Sequence, residues 1–206
     1  MAKEKEPPVK LPVPLQKGKL SLEQAISKRR SVRRFKDEPL TLEQLSQLLW
    51  SAQGTTGTDG RRAVPSAGAT YPLEVFVVVG EHGVHGLGAG MYHYDAGNHS
   101  LSLHKNGDLR QKLADAALGQ SAIGKCPVAM VVCAIHPRTA YRYGHRGERY
   151  VHMEVGHVGQ NVALQAVALG LGTVMVGAFQ DEDVMKALKL EEQIRPLYII
   201  PIGKPV

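Results

Sequence analysis

The densest chemistry in the chain sits at Arg29-Arg30-Ser31-Val32-Arg33-Arg34-Phe35, where four arginines and a serine fall within seven residues. In an extended backbone Ser31, Arg33 and Phe35 face one way and Val32 and Arg34 the other, so the Ser31 hydroxyl and the Arg33 guanidinium can share one ligand. A phosphate monoester suits them, because each charge-assisted hydrogen bond to it contributes roughly 1.5–3 kcal/mol before ordering costs. The same residues also read as a solvated basic cluster that complements the dipole at a helix C-terminus. A second constellation is Pro65-Ser66-Ala67-Gly68-Ala69-Thr70-Tyr71-Pro72. Its small side chains let the backbone approach something flat, and a planar ring could hydrogen-bond the main chain and the Ser66 hydroxyl. The alternative is a glycine-containing turn with no ligand.

Other candidates fail on spacing. Gly170-Leu171-Gly172-Thr173-Val174-Met175-Val176-Gly177 has its third glycine misplaced for a dinucleotide fingerprint and follows a helical segment instead of a strand. His145, His152, Glu154 and His157 do not match HExxH, and on a helix His152 and Glu154 point about 200° apart. Glu154 and His157 could pair across one turn. No metal site is expected, and these histidines read as core or interface residues. Cys126 and Cys133 lie in an apolar run without CxxC spacing, which reads as reduced, buried thiols.

These residues need elements to hold them in place. Ser21-Leu22-Glu23-Gln24 and Thr41-Leu42-Glu43-Gln44 both have capping-box form, which predicts one helix running to Arg30 and another to Ala52. Gly54 to Ala69 reads as a long loop of the kind that carries function or is disordered. Leu73–Val79 and Val128–Ile135 are β-branched runs and predict buried strands; Tyr198–Ile202 is a third strand candidate. Met91–Asp95 and Ser100–His104 alternate like a hairpin. Asp108–Leu118 reads as a helix, and Arg149–Leu169 as the longest one, ended by Gly170. Gly156, Gly159, Ala163 and Ala166 form a small-residue stripe on this last helix that permits close approach. With apolar residues on its other faces, it belongs within a core or at a subunit interface.

At 206 residues, 43% hydrophobic and 21% charged, the chain fits one ordinary domain. Four prolines and five lysines in residues 1–19 predict an extended or disordered N-terminal arm, with a single domain over 20–206. No apolar run is long enough to span a bilayer and the N-terminus lacks the apolar centre of a signal peptide, so no membrane partner and a cytoplasmic location are expected. The net charge of +6 calls for an anionic partner. With aromatics at 5% and no nucleic-acid-binding signature, a small phosphorylated ligand fits better than nucleic acid.

Five motifs in order resemble the nitroreductase superfamily: RRSVRRF after the first helix, PSAGATYPLEVFVVV, the helix ERYVHMEVGHVGQNVALQAVALGLG, MVGAF and a closing PIGKP. GMYHYD, ALGQ and YGHRGERY are similar to the branch containing azoline (thiazoline/oxazoline) dehydrogenases. The resemblance implies a nitroreductase-like α+β fold, a mixed central sheet flanked by helices, and an intertwined homodimer with FMN sites drawn from both chains. Arg29, Arg30, Ser31 and Arg33 would hold the phosphate and ribityl chain. Pro65, Ser66, Ala67 and Gly68 of the partner would pack beside the ring, and Val176 and Gly177 would offer backbone amides to its N5 and O4 edge. Lys204 is the candidate for the basic residue that the family's C-terminal tail commonly supplies.

The implied activity is ping-pong electron transfer from NAD(P)H through FMN to a small acceptor such as a nitroarene, a quinone or free flavin. Two alternatives stand beside it: an FMN-binding protein that stores, senses or cleaves flavin, and an azoline-type dehydrogenase. The latter carries a Lys-Tyr pair where this chain has Arg142 and Tyr143. Arginine stays protonated and cannot act as a base at neutral pH, which leaves that pair a structural or substrate-facing role.

Overall fold

The computed structural model describes residues 7–206. Its elements run β1 (Val9–Lys10), α1 (Leu22–Lys28), α2 (Leu42–Gln53), β2 (Leu73–Val79), β3 (Gly90–Asp95), β4 (Ser100–Asn106), α3 (Arg110–Ala116), α4 (Ser121–Lys125), β5 (Val128–Ala134), α5 (Pro137–Tyr143), α6 (Gly147–Ala168), β6 (Gly172–Thr173), α7 (Asp181–Leu188) and β7 (Arg195–Gly203). Both capping boxes form: Ser21 accepts from the Gln24 amide and Thr41 from the Gln44 amide, and each glutamine side chain reaches back to its cap.

One seven-stranded sheet, ordered β1-β4-β3-β2-β5-β7-β6, organises the chain. Strand alternation divides the core in two. Val75, Val77 and Val79 of β2 face α2 and α6, meeting Leu45, Leu48, Val151, Val155 and Val158. Phe76 and Val78 face the other way, toward Leu113 of α3 and Val184 and Leu188 of α7. The result is three layers, helices on both faces of a sheet, which is the α+β architecture expected. The sheet itself differs from the mixed one expected. Every ladder is antiparallel, and parallel pairing is confined to isolated bridges at Ser31–Thr173 and Leu40–Val84.

Of the segment 1–19, expected to be an extended or disordered arm, residues 1–6 lie outside the described residues, and the stretch that follows lies on the domain. Val9 and Lys10 pair with Leu101 and Ser100 of β4, and Leu11 is buried. Two side chains of α2 fasten the stretch from Pro12 to Leu15: the Ser46 hydroxyl donates to the Pro12 carbonyl at 2.6 Å, and Gln47 exchanges hydrogen bonds with the Leu15 backbone. Among the described residues no helix is long and apolar enough to cross a membrane. Cys126 and Cys133 are free and buried, and burial pushes the Cys126 thiol up to about 12.

Asp108 and Arg110 form a well-made ion pair, with Nη2 to Oδ2 at 2.6 Å, and Arg110 also donates to the Cys126 carbonyl at 2.7 Å. Burial works against the charge on Asp108, but hydrogen bonds from Arg110 and the Glu81 amide outweigh it and hold the carboxyl below its ordinary value. Its contribution to stability is therefore present above a pH of about 4 and is lost as pH falls through the depressed native value. Asp108→Asn should lower the melting temperature at pH 7 by about 2–4 °C, the effect of ~1 kcal/mol in a chain of this length. Thermal scans from pH 7 down to pH 2 should show the gap between the two proteins closing; a gap independent of pH would refute the assignment.

Candidate functional site

The segment after α1 runs extended beside the far edge of the sheet. The Val32 amide donates to the Thr173 carbonyl at 3.0 Å, and the Lys36 amide to the Lys204 carbonyl at 2.9 Å. This course depends on glycine at 172, where a Cβ would stand 2.7 Å from Val32 Cβ. Ser31 is thereby set beside Thr173, next to α6. A cavity of about 190 Å³ opens there, lined by Arg29, Ser31, Gly156, Gln160, Thr173 and Tyr198 among others. Of the small-residue stripe on α6, Gly159 serves close packing, since a Cβ on it would meet Met175 Sδ at 3.0 Å; Gly156 opens onto space. The hydroxyl of Thr173 is buried and has no hydrogen-bond partner among the described residues. Such a group costs about 1–3 kcal/mol unless something satisfies it.

The arginine cluster divides by direction. Arg29 caps α1, is half-buried and enters the cavity wall. Arg30 curls back, with Nη1 donating to the carbonyls of Ser27 and Arg29. Arg33 and Arg34 are exposed, and Arg33 does not line the cavity. Lys204 is turned to Glu38, with Nζ to Oε2 at 2.7 Å. Beside β7, the Val176 amide donates to the Ile199 carbonyl at 2.9 Å and so is not available to a ring edge, which corrects the expectation for that residue. Gly177 next to it is exposed.

The second constellation forms a strained turn. Gly68, Ala69 and Tyr71 have φ of 59°, 53° and 44°, and a non-glycine residue in this left-handed region costs about 1–3 kcal/mol unless its surroundings fix it. Those surroundings include the pair singled out near α5. Arg142 Nη1 donates to the Gly68 carbonyl at 3.3 Å, and a Cβ on Gly68 would stand 2.5 Å from the Tyr143 hydroxyl. Tyr143 in turn meets Tyr150 edge-on at 5.0 Å. Arg138 pairs with Glu74 at 2.6 Å and donates to the Tyr71 carbonyl, while Thr70 and Thr139 share a hydrogen bond of 2.9 Å.

Ser66 departs from its expected orientation. Its Oγ accepts from the Tyr71 amide at 3.0 Å, so the turn's own backbone competes for the hydroxyl that was expected to reach a ring. Glu154 was overlooked as a partner of this turn. It is buried toward α2, whereas His157, with which it could have paired across one turn, is exposed. Pro65, Gly68 and Ala69 are exposed. The cavity at Arg29 and Ser31 does not include the Pro65–Gly68 turn, and among the described residues no three His, Cys, Asp or Glu side chains come together as a metal would need.

Comparison with known proteins places this geometry in context. The family model described as the nitroreductase family matches residues 26–204. A relative from Methanocaldococcus jannaschii that bears a nitroreductase name is 46% identical over 187 residues, 91% of this chain and 92% of the relative. A solved structure from Ralstonia eutropha, also of nitroreductase name, superposes with a TM-score of 0.85 at 29% identity, covering 98% of this chain and 90% of that one. The microcin B17-processing protein of Escherichia coli is 31% identical over 143 residues, 68% of this chain; the match spans only 53% of that protein.

Proposed function

We propose, from the premise that this chain belongs to the nitroreductase family, that it is an FMN-dependent oxidoreductase carrying electrons from NAD(P)H to a small acceptor. We further propose that it works as a homodimer in which each subunit completes the other's site. The observation that carries the reading is the cavity lined by Arg29, Ser31 and Thr173, the last of which has a buried hydroxyl with no hydrogen-bond partner among the described residues. A permanent cation, a hydroxyl at the end of an extended segment and an unsatisfied buried polar group fit a phosphorylated, polyhydroxylated ligand better than an apolar one.

FMN would supply the hydride-accepting centre, so the protein's share is binding, orientation and electrostatics. Arg29 and Ser31 would hold the phosphate and ribityl end. The turn at Pro65, Ser66, Ala67 and Gly68 would lie against the ring of the partner's flavin, and Gly177 would offer its backbone amide to the ring's edge. The separation of these two sets within one chain is what a site shared between subunits requires. Arg142 keeps a fixed positive charge at the Gly68 carbonyl, where it both holds the turn and biases the site toward negative charge.

The similarity to the microcin B17-processing protein favours a second reading, an azoline-type dehydrogenase. That chemistry would use a base at position 142, which arginine cannot supply.

The test is an absorbance spectrum of the purified protein before and after anaerobic addition of NADH or NADPH. Bands near ~370 and ~450 nm that bleach with the donor are the expected result for a flavin carrier. Bands that persist would favour flavin storage or cleavage. A protein that stays colourless after incubation with FMN and removal of the excess would sink the proposal.

A further inference from the structure

Val151, Val155 and Val158 of α6 face the core as packing demands, but the same covered side of the helix also carries a carboxylate, Glu154, only 3% exposed. A buried carboxylate needs partners, and here they form a chain that reaches the turn. Gln53 Nε2 lies 3.5 Å from Glu154 Oε1, and Ser66 is near enough to favour the charged form of the same carboxyl. Gln53 Oε1 accepts from Arg62 Nη1 at 2.9 Å, and the Arg62 guanidinium stands 4.7 Å from the centre of the Tyr71 ring. Ser66 Oγ accepts from the Tyr71 amide at 3.0 Å. Glu154 thus connects through Gln53 and Arg62 to the Tyr71 ring, whose own backbone amide donates to Ser66 at the base of the strained turn.

We propose that Glu154 is a positioning residue: from inside α6 it fixes the Pro65–Pro72 turn through the Gln53–Arg62 pair and the Tyr71 ring that Arg62 meets, so that the turn presents one backbone shape to the flavin ring. The ligand rests on the FMN reading; the hold on the turn does not. Packing alone gives no reason for the carboxylate, because an apolar side chain of similar size is commonly as stable or more so at a buried ionic position. Burial raises the Glu154 carboxyl above its ordinary value, opposed by Ser66, Gln53 and Arg62. The arrangement is consistent with a side chain kept for shape at the turn, not for stability.

Glu154→Leu separates the two roles, and Glu154→Gln is the conservative rescue, since glutamine retains a polar group at both ends of the contact. Amide hydrogen exchange in the flavin-free chain and FMN affinity by fluorescence quenching are the readouts. For the leucine variant we expect a melting temperature no lower than that of the parent, exchange at the Tyr71 amide at least about tenfold faster, and FMN binding weaker by about fivefold or more. The glutamine variant should stay within about twofold of the parent in both. Tyr71 exchange and FMN affinity both unchanged in the leucine variant would overturn the proposal. If leucine is not accommodated, Glu154→Ala read beside Val158→Ala, a packing control on the same helix, answers the question: equal effects of the two on Tyr71 would also overturn it. A parent protein that binds no FMN would remove the flavin reading alone, and Tyr71 exchange would still decide whether Glu154 holds the turn.

Discussion

Replacing Arg29 with alanine should weaken FMN binding by about 10- to 150-fold, the equivalent of one charge-assisted hydrogen bond worth roughly 1.5–3 kcal/mol. The melting temperature of the flavin-free chain should move by no more than about 2 °C, because Arg29 is not part of either core cluster. The effect belongs to Arg29 in particular. Arg30 spends its guanidinium on the carbonyls of Ser27 and Arg29, and Arg33 stands outside the cavity that Arg29 and Ser31 line. Arg30→Ala and Arg33→Ala should each cost well under tenfold, as charges acting through solvent do. Titrating FMN into all three variants at two salt concentrations makes the comparison. Equal losses that disappear in high salt would mean that a diffuse basic cluster, not a directed anchor, attracts the phosphate.

A single methyl group at Gly172 should do comparable harm by a different route. The Cβ of Gly172→Ala would come within 2.7–2.9 Å of the Cβ and both methyls of Val32, and overpacking of this kind costs about 1–3 kcal/mol. To relieve it, the segment bearing Ser31 must move off β6, breaking the 3.0 Å hydrogen bond from the Val32 amide to Thr173. The expected result is a drop in melting temperature of about 2–12 °C together with at least a tenfold loss of FMN affinity. Adding Val32→Ala restores the room, so the double variant should recover much of both losses. A double variant that binds FMN as poorly as Gly172→Ala would show that the steric contact is not the cause.

What the sequence disclosed was local. Ser21 with Gln24 and Thr41 with Gln44 announce two helix starts within four residues each, and both capping boxes form. The β-branched runs at 73–79 and 128–134 are buried strands, and the hairpin at 90–106 pairs as its alternation requires. The short helices gave weaker signals: α4 is five residues long, and α4, α5 and α7 all begin without a side-chain cap. The site was legible in its residue types and less so in its partnerships. No periodicity shows that Lys204 meets Glu38, 166 positions away, that Ile199 takes the Val176 amide, or that Glu154 faces Gln53 across 101 positions. These are choices of tertiary packing, visible only once helices and sheet are docked.

The two-residue strand β1 matters beyond its size. It lies along β4, the outermost long strand of an open sheet, where unpaired amides and carbonyls would otherwise offer a template for another chain. Pro7, Pro8, Pro12 and Pro14 flank it and lack the amide hydrogens a further strand would need. The N-terminal segment is therefore a guard against edge-to-edge aggregation: it closes the sheet with backbone that cannot easily be extended, and Ser46 and Gln47 of α2 keep that guard in place.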